Sequence, residues 1–274
     1  MTRTGKVLVT GASSGIGRAV ATALIARGWE VWGTSRDPAR LADVSGLRPI
    51  ALDLSSDASI DRALRAGLEE AGHFDVVINN AGNAIWGPLE LLAPEQEKAQ
   101  FQILVFGPMR IIRAVLPSMR EQGRGLIVNV TSLTAQFVVP YLGAYSAAKA
   151  ALASMTWSLQ MELHKEPVRF VDLRPGDIRT DFNDVMGHTR DRQDAAYAKD
   201  AERAFAVCEA DRHRAPSPEQ VADMVIRILD RDGAGSPVIA TGGLFQAYIA
   251  PVLARLVPTI LLRWGMRYYY GLRR

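Results

Sequence analysis

The sequence predicts an α/β protein in which a parallel sheet is covered by helices on both faces. Three observations predict it. Short apolar runs rich in β-branched residues alternate with longer stretches whose apolar residues recur at three and four positions. The strand-like runs are apolar almost throughout, as expected where both faces of a strand are buried. A hydrophobic content of 48% over 274 residues is enough for one large core.

Val7–Thr10 reads as the first strand and Ile16–Arg27 as the helix after it. Trp29–Thr34 is the second strand, and Ile50–Leu52 a short third one ending at Asp53. Val76–Asn79, Leu126–Val130, Phe170–Leu173 and Val238–Ala240 read as further strands. Helical stretches lie around Ile60–Ala71, Pro94–Gln122, Ala144–His164 and Pro218–Asp230. Strands joined by helices in this way require right-handed crossovers. No repeat, low-complexity block or Pro/Gly linker divides the chain, so residues 1–243 are read as one domain. Residues 181–214 are polar and read as an irregular substrate loop, and residues 244–274 as a basic, apolar extension.

Composition narrows the classes. With 32 basic and 29 acidic residues the net charge is only +3, and the first 230 residues hold no basic cluster with interleaved aromatics, so nucleic acid is not an expected partner. Cys208 is the only cysteine, which excludes an intrachain disulfide and a cysteine-based metal cage, and no metal is expected. No apolar signal segment precedes Val7, so a cytoplasmic location is the expectation.

Gly11-Ala12-Ser13-Ser14-Gly15-Ile16-Gly17 lies between the first strand and the first helix. Such a turn is either plain strand-to-helix punctuation or a phosphate cradle, and its place in the first βα unit favours the cradle. There Gly11 permits the tight turn, Gly15 admits a pyrophosphate, Gly17 allows close helix packing, and the helix N-terminus favours the anion. The second strand ends Gly33-Thr34-Ser35-Arg36, with no acid until Asp37. An acid at that end would hold the two ribose hydroxyls of NAD, whereas a guanidinium suits a 2′-phosphate. Arg36, with Ser35 and Arg18 as helpers, therefore argues for NADP(H) over the plain reading of a solvated loop arginine. Tyr145 and Lys149 stand four apart on one helix face. A neighbouring ammonium favours a phenolate, which would bring Tyr145 toward working pH as a general acid for carbonyl reduction and a base for the reverse.

Taken together, Thr10-Gly11-(x)3-Gly15-Ile16-Gly17, Asp53, Asn79-Asn80-Ala81-Gly82, Ser132, Tyr145-(x)3-Lys149 and Arg174-Pro175-Gly176-(x)3-Thr180 resemble the short-chain dehydrogenase/reductase family in order and spacing. The resemblance spans roughly residues 5–240. It implies a Rossmann-type, doubly wound sheet of about seven strands and an oxidoreductase acting on CH–OH groups. It further implies that Gly11, Ser13, Ser14, Gly15, Ile16, Gly17 and Arg36 hold the dinucleotide, and that Asp53 with Leu54 meets the adenine. By the same likeness Asn80, Ala81 and Gly82 line the cofactor, and Pro175, Gly176, Ile178 and Thr180 hold its nicotinamide end. Ser132 would bind the substrate oxygen, Tyr145 would transfer the proton, and Lys149 would bind the nicotinamide ribose. A homo-oligomer is expected from the resemblance alone.

One position departs from the family pattern. Its usual asparagine, which supports a proton-feeding water, falls at Leu104, and Gln102 lies on a different helix face. Leucine can neither hold that water nor stabilise a polar kink, so Leu104→Asn is expected to raise carbonyl reduction if proton supply limits the rate. This is also the one feature favouring a different reading, a low-turnover nucleotide sensor or interaction protein that retains the fold.

The substrate is expected to be an apolar ketone or aldehyde, because Ile85, Trp86, Leu133, Phe137, Val138, Val139, Tyr141 and Leu142 flank the motif residues. The extension has five arginines, Arg255, Arg263, Arg267, Arg273 and Arg274, and no acid. Its apolar residues recur at helical spacing, and Pro258 must begin a new helix or kink one. Pro251, Arg255 and Pro258 interrupt it too often for a membrane span. A peripheral anionic membrane surface, a subunit interface and a lid over an apolar substrate all suit such a segment.

Overall fold

The structure, a computed structural model, describes residues 4–189, 195–231 and 237–272. Strand β1 (Lys6–Val9) leads into α1 (Gly15–Ala26), then β2 (Glu30–Ser35) and β3 (Leu47–Ala51). Helix α2 (Asp57–Ala71) returns the chain to β4 (Val76–Asn79), and a short strand, β5 (Ile85–Trp86), follows. Helix α3 (Pro94–Phe101) passes through one π-helical turn, Gln102–Phe106, into α4 (Gly107–Glu121), and β6 (Gly125–Val130) comes next. Helix α5 (Gly143–Glu162) then precedes β7 (Val168–Pro175) and the two-residue β8 (Gly187–His188). Helices α6 (Ala195–Arg214) and α7 (Pro218–Asp230), strand β9 (Val238–Thr241), and helices α8 (Ala250–Leu256) and α9 (Thr259–Tyr269) complete the chain.

Seven strands form one parallel sheet in the order β3-β2-β1-β4-β6-β7-β9, the doubly wound, Rossmann-type arrangement. The order reverses between β1 and β4, where Val7 stands opposite both Val31 and Val76. Connections leaving the strands diverge at that point, which opens a crevice at their C-terminal ends. Side chains alternate across the sheet. Val7 and Val9 face α1 and α7, while Leu8, with Trp32, Val77 and Ile127, lies under α2 and α4. Helix α4 buries Ile111, Ile112 and Val115 there, each contributing about 1.5–3 kcal/mol.

Local chemistry sets several ends. Ser56 caps α2 by accepting from Ser59 N at 3.3 Å, and the helix stops at Gly72, whose φ is +76°. Strand β3 begins three residues before the apolar run at Ile50, because it is an edge strand with Arg48 and Pro49 exposed. The larger difference concerns residues 181–214. The predicted irregular loop contains the twenty-residue helix α6 and strand β8, which pairs with β5 through Ile85↔Gly187 and Trp86↔His188. Helix α6 packs through Ala201, Ala204, Phe205 and Cys208, a helical stripe muted in the sequence because alanine carries little hydrophobic signal. Residues 190–194 of that segment lie outside the described residues. Pro258 does begin a new helix, α9.

Candidate active site

Four loops meet at the C-terminal ends of β1, β4, β6 and β7. The first is the glycine turn. Gly11 has φ +68°, and a Cβ on it would lie 2.9 Å from Ala81 Cα. A Cβ on Gly17 would stand 2.1 Å from Gly11 O and 2.5 Å from Asn80 Nδ2, so the close approach this glycine permits is to the turn itself. Thr10 Oγ1 accepts from the backbone N–H groups of Asn80 and Ala81, at 2.9 and 3.0 Å. The Asn80 amide in turn donates to Thr10 O at 2.9 Å. Asn80 and Ala81 thus lock the end of β4 to the turn.

The turn fits a pyrophosphate. Ser14 at the start of α1 makes no side-chain cap, and the first turn of the helix carries no acid, so its N–H groups and positive dipole end face the crevice unopposed. Thr180, beyond β7, lies 3.3 Å from where a Gly15 Cβ would be, closing the turn from the opposite side. A cleft of about 490 Å³ between α1 and α7 opens at Gly15 and Thr180. None of Ser132, Tyr145 and Lys149 lines it, so it is a groove beside the turn and separate from those three side chains.

At the end of β2, Ser35 is buried and its Oγ accepts from Asp37 N at 3.3 Å, while Arg36 is exposed. Asp37 is occupied as well, because its carboxylate accepts from Ala39 N at 3.0 Å and caps the short turn after β2. Arg18, the predicted helper of Arg36, pairs with Asp43 at 2.6 Å. Asp53 Oδ1 accepts from Ser55 N and Ser55 Oγ at 2.9 and 2.7 Å. Those bonds, with the Arg36 charge adding to them, hold its carboxyl below the usual range. Leu54 is buried beside Gly107.

The candidate reacting groups stand just past β6 and on α5. Ser132, just past β6, is buried, and its Oγ accepts from Thr134 N at 3.1 Å. Helix α5 is pinned by a buried polar chain. Asn79 donates to Asn129 and Asn129 to Thr156, each at 2.8 Å, and Thr156 bonds Leu152 O at 2.7 Å. Lys149 Nζ donates to Val130 O at 2.7 Å and lies 5.7 Å from the centre of the Tyr145 ring. Burial pushes the Lys149 ammonium down to about 8, opposed by the charge of Asp172. Burial also pushes the Tyr145 phenol up to about 12, opposed by the neighbouring Ser132 hydroxyl. Desolvation therefore sets the direction at Tyr145 and favours the protonated phenol, and the predicted lowering by Lys149 is not among its causes.

Leu104 is fully buried in an apolar cluster with Val105 and Ala148, against Phe101 and Tyr145. The helix is irregular there even without a polar residue, through the π turn at Gln102–Phe106. Gln102 faces away, donating to Asp57 at 2.9 Å, and so leaves Leu104 without a polar substitute from that position.

Sequence reasoning missed two contacts of the site, neither of them marked by local periodicity. Phe182 packs on Tyr145 with ring centres 5.8 Å apart. Asp177, beside Gly176, donates its N–H to Gln246 Oε1 at 2.9 Å, so the C-terminal extension closes on the β7 loop that also carries Pro175 and Ile178. Tyr141, a predicted wall residue just before α5, is held at φ +65° and lays its ring against Trp86 at 5.8 Å. Of the predicted pocket wall, Trp86, Val139, Tyr141 and Leu142 join one apolar cluster with Tyr145 and Phe182, to which Met266 and Tyr270 of the C-terminal segment also belong.

The chain matches the family model described as short chain dehydrogenase over residues 5–191. It is 32% identical over 270 residues to a 3-ketodihydrosphingosine reductase of Bacteroides thetaiotaomicron, covering 97% of this chain and 98% of that protein. A short-chain dehydrogenase from Streptomyces avermitilis superposes with a TM-score of 0.82, at 30% identity and 96% coverage of both chains. A 3-ketoacyl-(acyl-carrier-protein) reductase from Brucella melitensis, solved with NADH, superposes at 0.72, with 26% identity over 86% of this chain and 95% of that one. Complexes with NADP occur among the solved relatives too. The glycine cradle, the Ser132–Tyr145–Lys149 set and these likenesses converge on one conclusion: the chain belongs to the short-chain dehydrogenase family of oxidoreductases.

Proposed function

We propose that the protein is an NADP(H)-dependent reductase of a ketone or aldehyde in an apolar, long-chain substrate, working reversibly through Tyr145. The observation that carries this reading is the apolar cluster that joins Tyr145 to Trp86, Leu142, Phe182, Met266 and Tyr270. Such a wall suits an aliphatic chain with the carbonyl at its inner end. The full-length relative that reduces 3-ketodihydrosphingosine, as its name states, supports a 3-keto amphiphile. The choice of NADP(H) is supported by Arg36 standing exposed at the end of β2 while Asp37 is turned into its own loop.

When bound, the dinucleotide supplies the hydride. Ser132 and Tyr145 hold the carbonyl oxygen, where negative charge grows as the carbon is reduced. Tyr145 Oη then gives that oxygen its proton. Lys149, tethered to Val130 O, offsets the phenolate charge that remains. In oxidation the same groups act in reverse. A nucleotide-sensing role is favoured only by the apolar packing of Leu104 on Tyr145, and the presence of Ser132, Tyr145 and Lys149 favours turnover.

The test offers purified protein NADPH or NADH with 3-keto amphiphiles of increasing chain length, following loss of the reduced cofactor, with Tyr145→Phe as control. Turnover with NADPH that strengthens with chain length is expected. Preference for NADH, or activity surviving Tyr145→Phe, would overturn the cofactor or the acid assignment respectively.

A further inference from the structure

The C-terminal segment has two apolar faces, and only one is covered. Inward, Met266 of α9 and Tyr270 just after it pack into the cluster that contains Tyr145, and Gln246 holds Asp177. Outward, Tyr248, Val252, Leu256, Ile260, Trp264 and Tyr268 are all more than half exposed, a large patch for a folded domain. Trp264 and Tyr268 stack along this outer face at 5.8 Å. Arg263 and Arg267 are exposed along one flank of it, and neither enters an ion pair among the described residues. The whole segment after residue 243 has five arginines and no acid.

We propose that α8 and α9 dock on an anionic bilayer surface and turn the pocket around Tyr145 toward a substrate held in that lipid. The substrate part rests on the reductase reading above; the docking part does not. The charge selects the occupant. A row of aliphatic residues with Trp and Tyr, edged by unopposed arginines, matches acyl chains beneath anionic headgroups. Contact is peripheral, since α8 and α9 are seven and eleven residues long, well short of a bilayer crossing. The one described helical stretch long and apolar enough to cross, Pro94–Glu121, is more than half buried in its most apolar window. Because the inner face of α9 belongs to the same cluster as Tyr145, docking sets the substrate wall at the lipid surface.

Full-length protein is floated with vesicles of phosphatidylcholine and phosphatidylglycerol in equal parts, and with phosphatidylcholine alone. Flotation with the anionic vesicles, reduced on the order of tenfold by high salt, by Arg263→Gln with Arg267→Gln, or by Trp264→Glu, is expected. Thermal melts by circular dichroism verify that each variant folds. Absence of flotation by the wild type, or equal flotation with both vesicles, would overturn the proposal. So would light scattering in which Trp264→Glu splits a wild-type dimer, since the face would then be covered by a second copy. For the substrate part, Trp264→Glu is expected to slow reduction of a vesicle-borne long-chain ketone and to leave a short, water-soluble ketone unaffected. Equal slowing of both, or of neither, would overturn delivery from lipid. If neither ketone is reduced by the wild type, the reductase reading fails while flotation still decides the docking.

Discussion

Lys149 donates to the carbonyl of Val130 at 2.7 Å, which fixes its nitrogen 5.7 Å from the centre of the Tyr145 ring. The tether runs from α5 to the end of β6, so the position of the charge is set by the sheet as well as by the helix that carries both residues. Burial makes that charge titrate near the working range.

Reductive kcat/KM should therefore fall as pH rises through about 8, where Lys149 loses its proton, while Tyr145, at about 12, stays protonated. Lys149→Arg keeps its charge over this range and should remove the fall, at a lower overall rate. A pH–rate profile of both proteins with a soluble ketone checks this. The sign for stability is opposite. A lowered lysine pKa costs folding energy in full below about 8, and the cost shrinks as pH rises toward 10.5.

Tyr145→Phe should lower turnover by about 10²–10⁴-fold, the usual worth of a positioned acid. The phenyl ring keeps its packing on Phe182, so cofactor binding, followed by NADPH fluorescence, should be nearly unchanged.

Arg36→Ala should raise the KM for NADPH by about 10–100-fold, equivalent to losing one charged hydrogen bond, and leave that for NADH within about twofold. Steady-state kinetics with both cofactors measure the difference. Equal effects on the two would remove Arg36 from phosphate recognition.

Leu104→Asn places an amide in the apolar cluster against Tyr145 and Ala148. It should destabilise the fold by about 1–3 kcal/mol, measured by urea unfolding. If proton supply limits the rate, reduction should nevertheless speed up in single-turnover assays; an unchanged or slower rate with an intact fold would sink that explanation.

Much of the scaffold was legible in the chain because each strand of a doubly wound sheet is buried on both faces and so reads as an apolar run. Strand β3 was the weakest such reading, being an edge strand with exposed residues. Helix α6 was not read at all, because its core-facing stripe is built largely on Ala201 and Ala204. Phe182 and Gln246 were missed for another reason. Their contacts, to Tyr145 across 37 positions and to Asp177 across 69, have no counterpart in local spacing.

The sequence by itself determined the sheet, the glycine turn and the nomination of Tyr145 and Lys149, since strand runs, turn glycines and a four-residue helical offset are encoded by near neighbours. Only the tertiary structure decided how those two residues ionise. Two groups on one helix face can attract and lower a phenol, but packing withdraws both from water. Desolvation then raises the phenol and lowers the ammonium, and Val130 O fixes where the remaining charge stands.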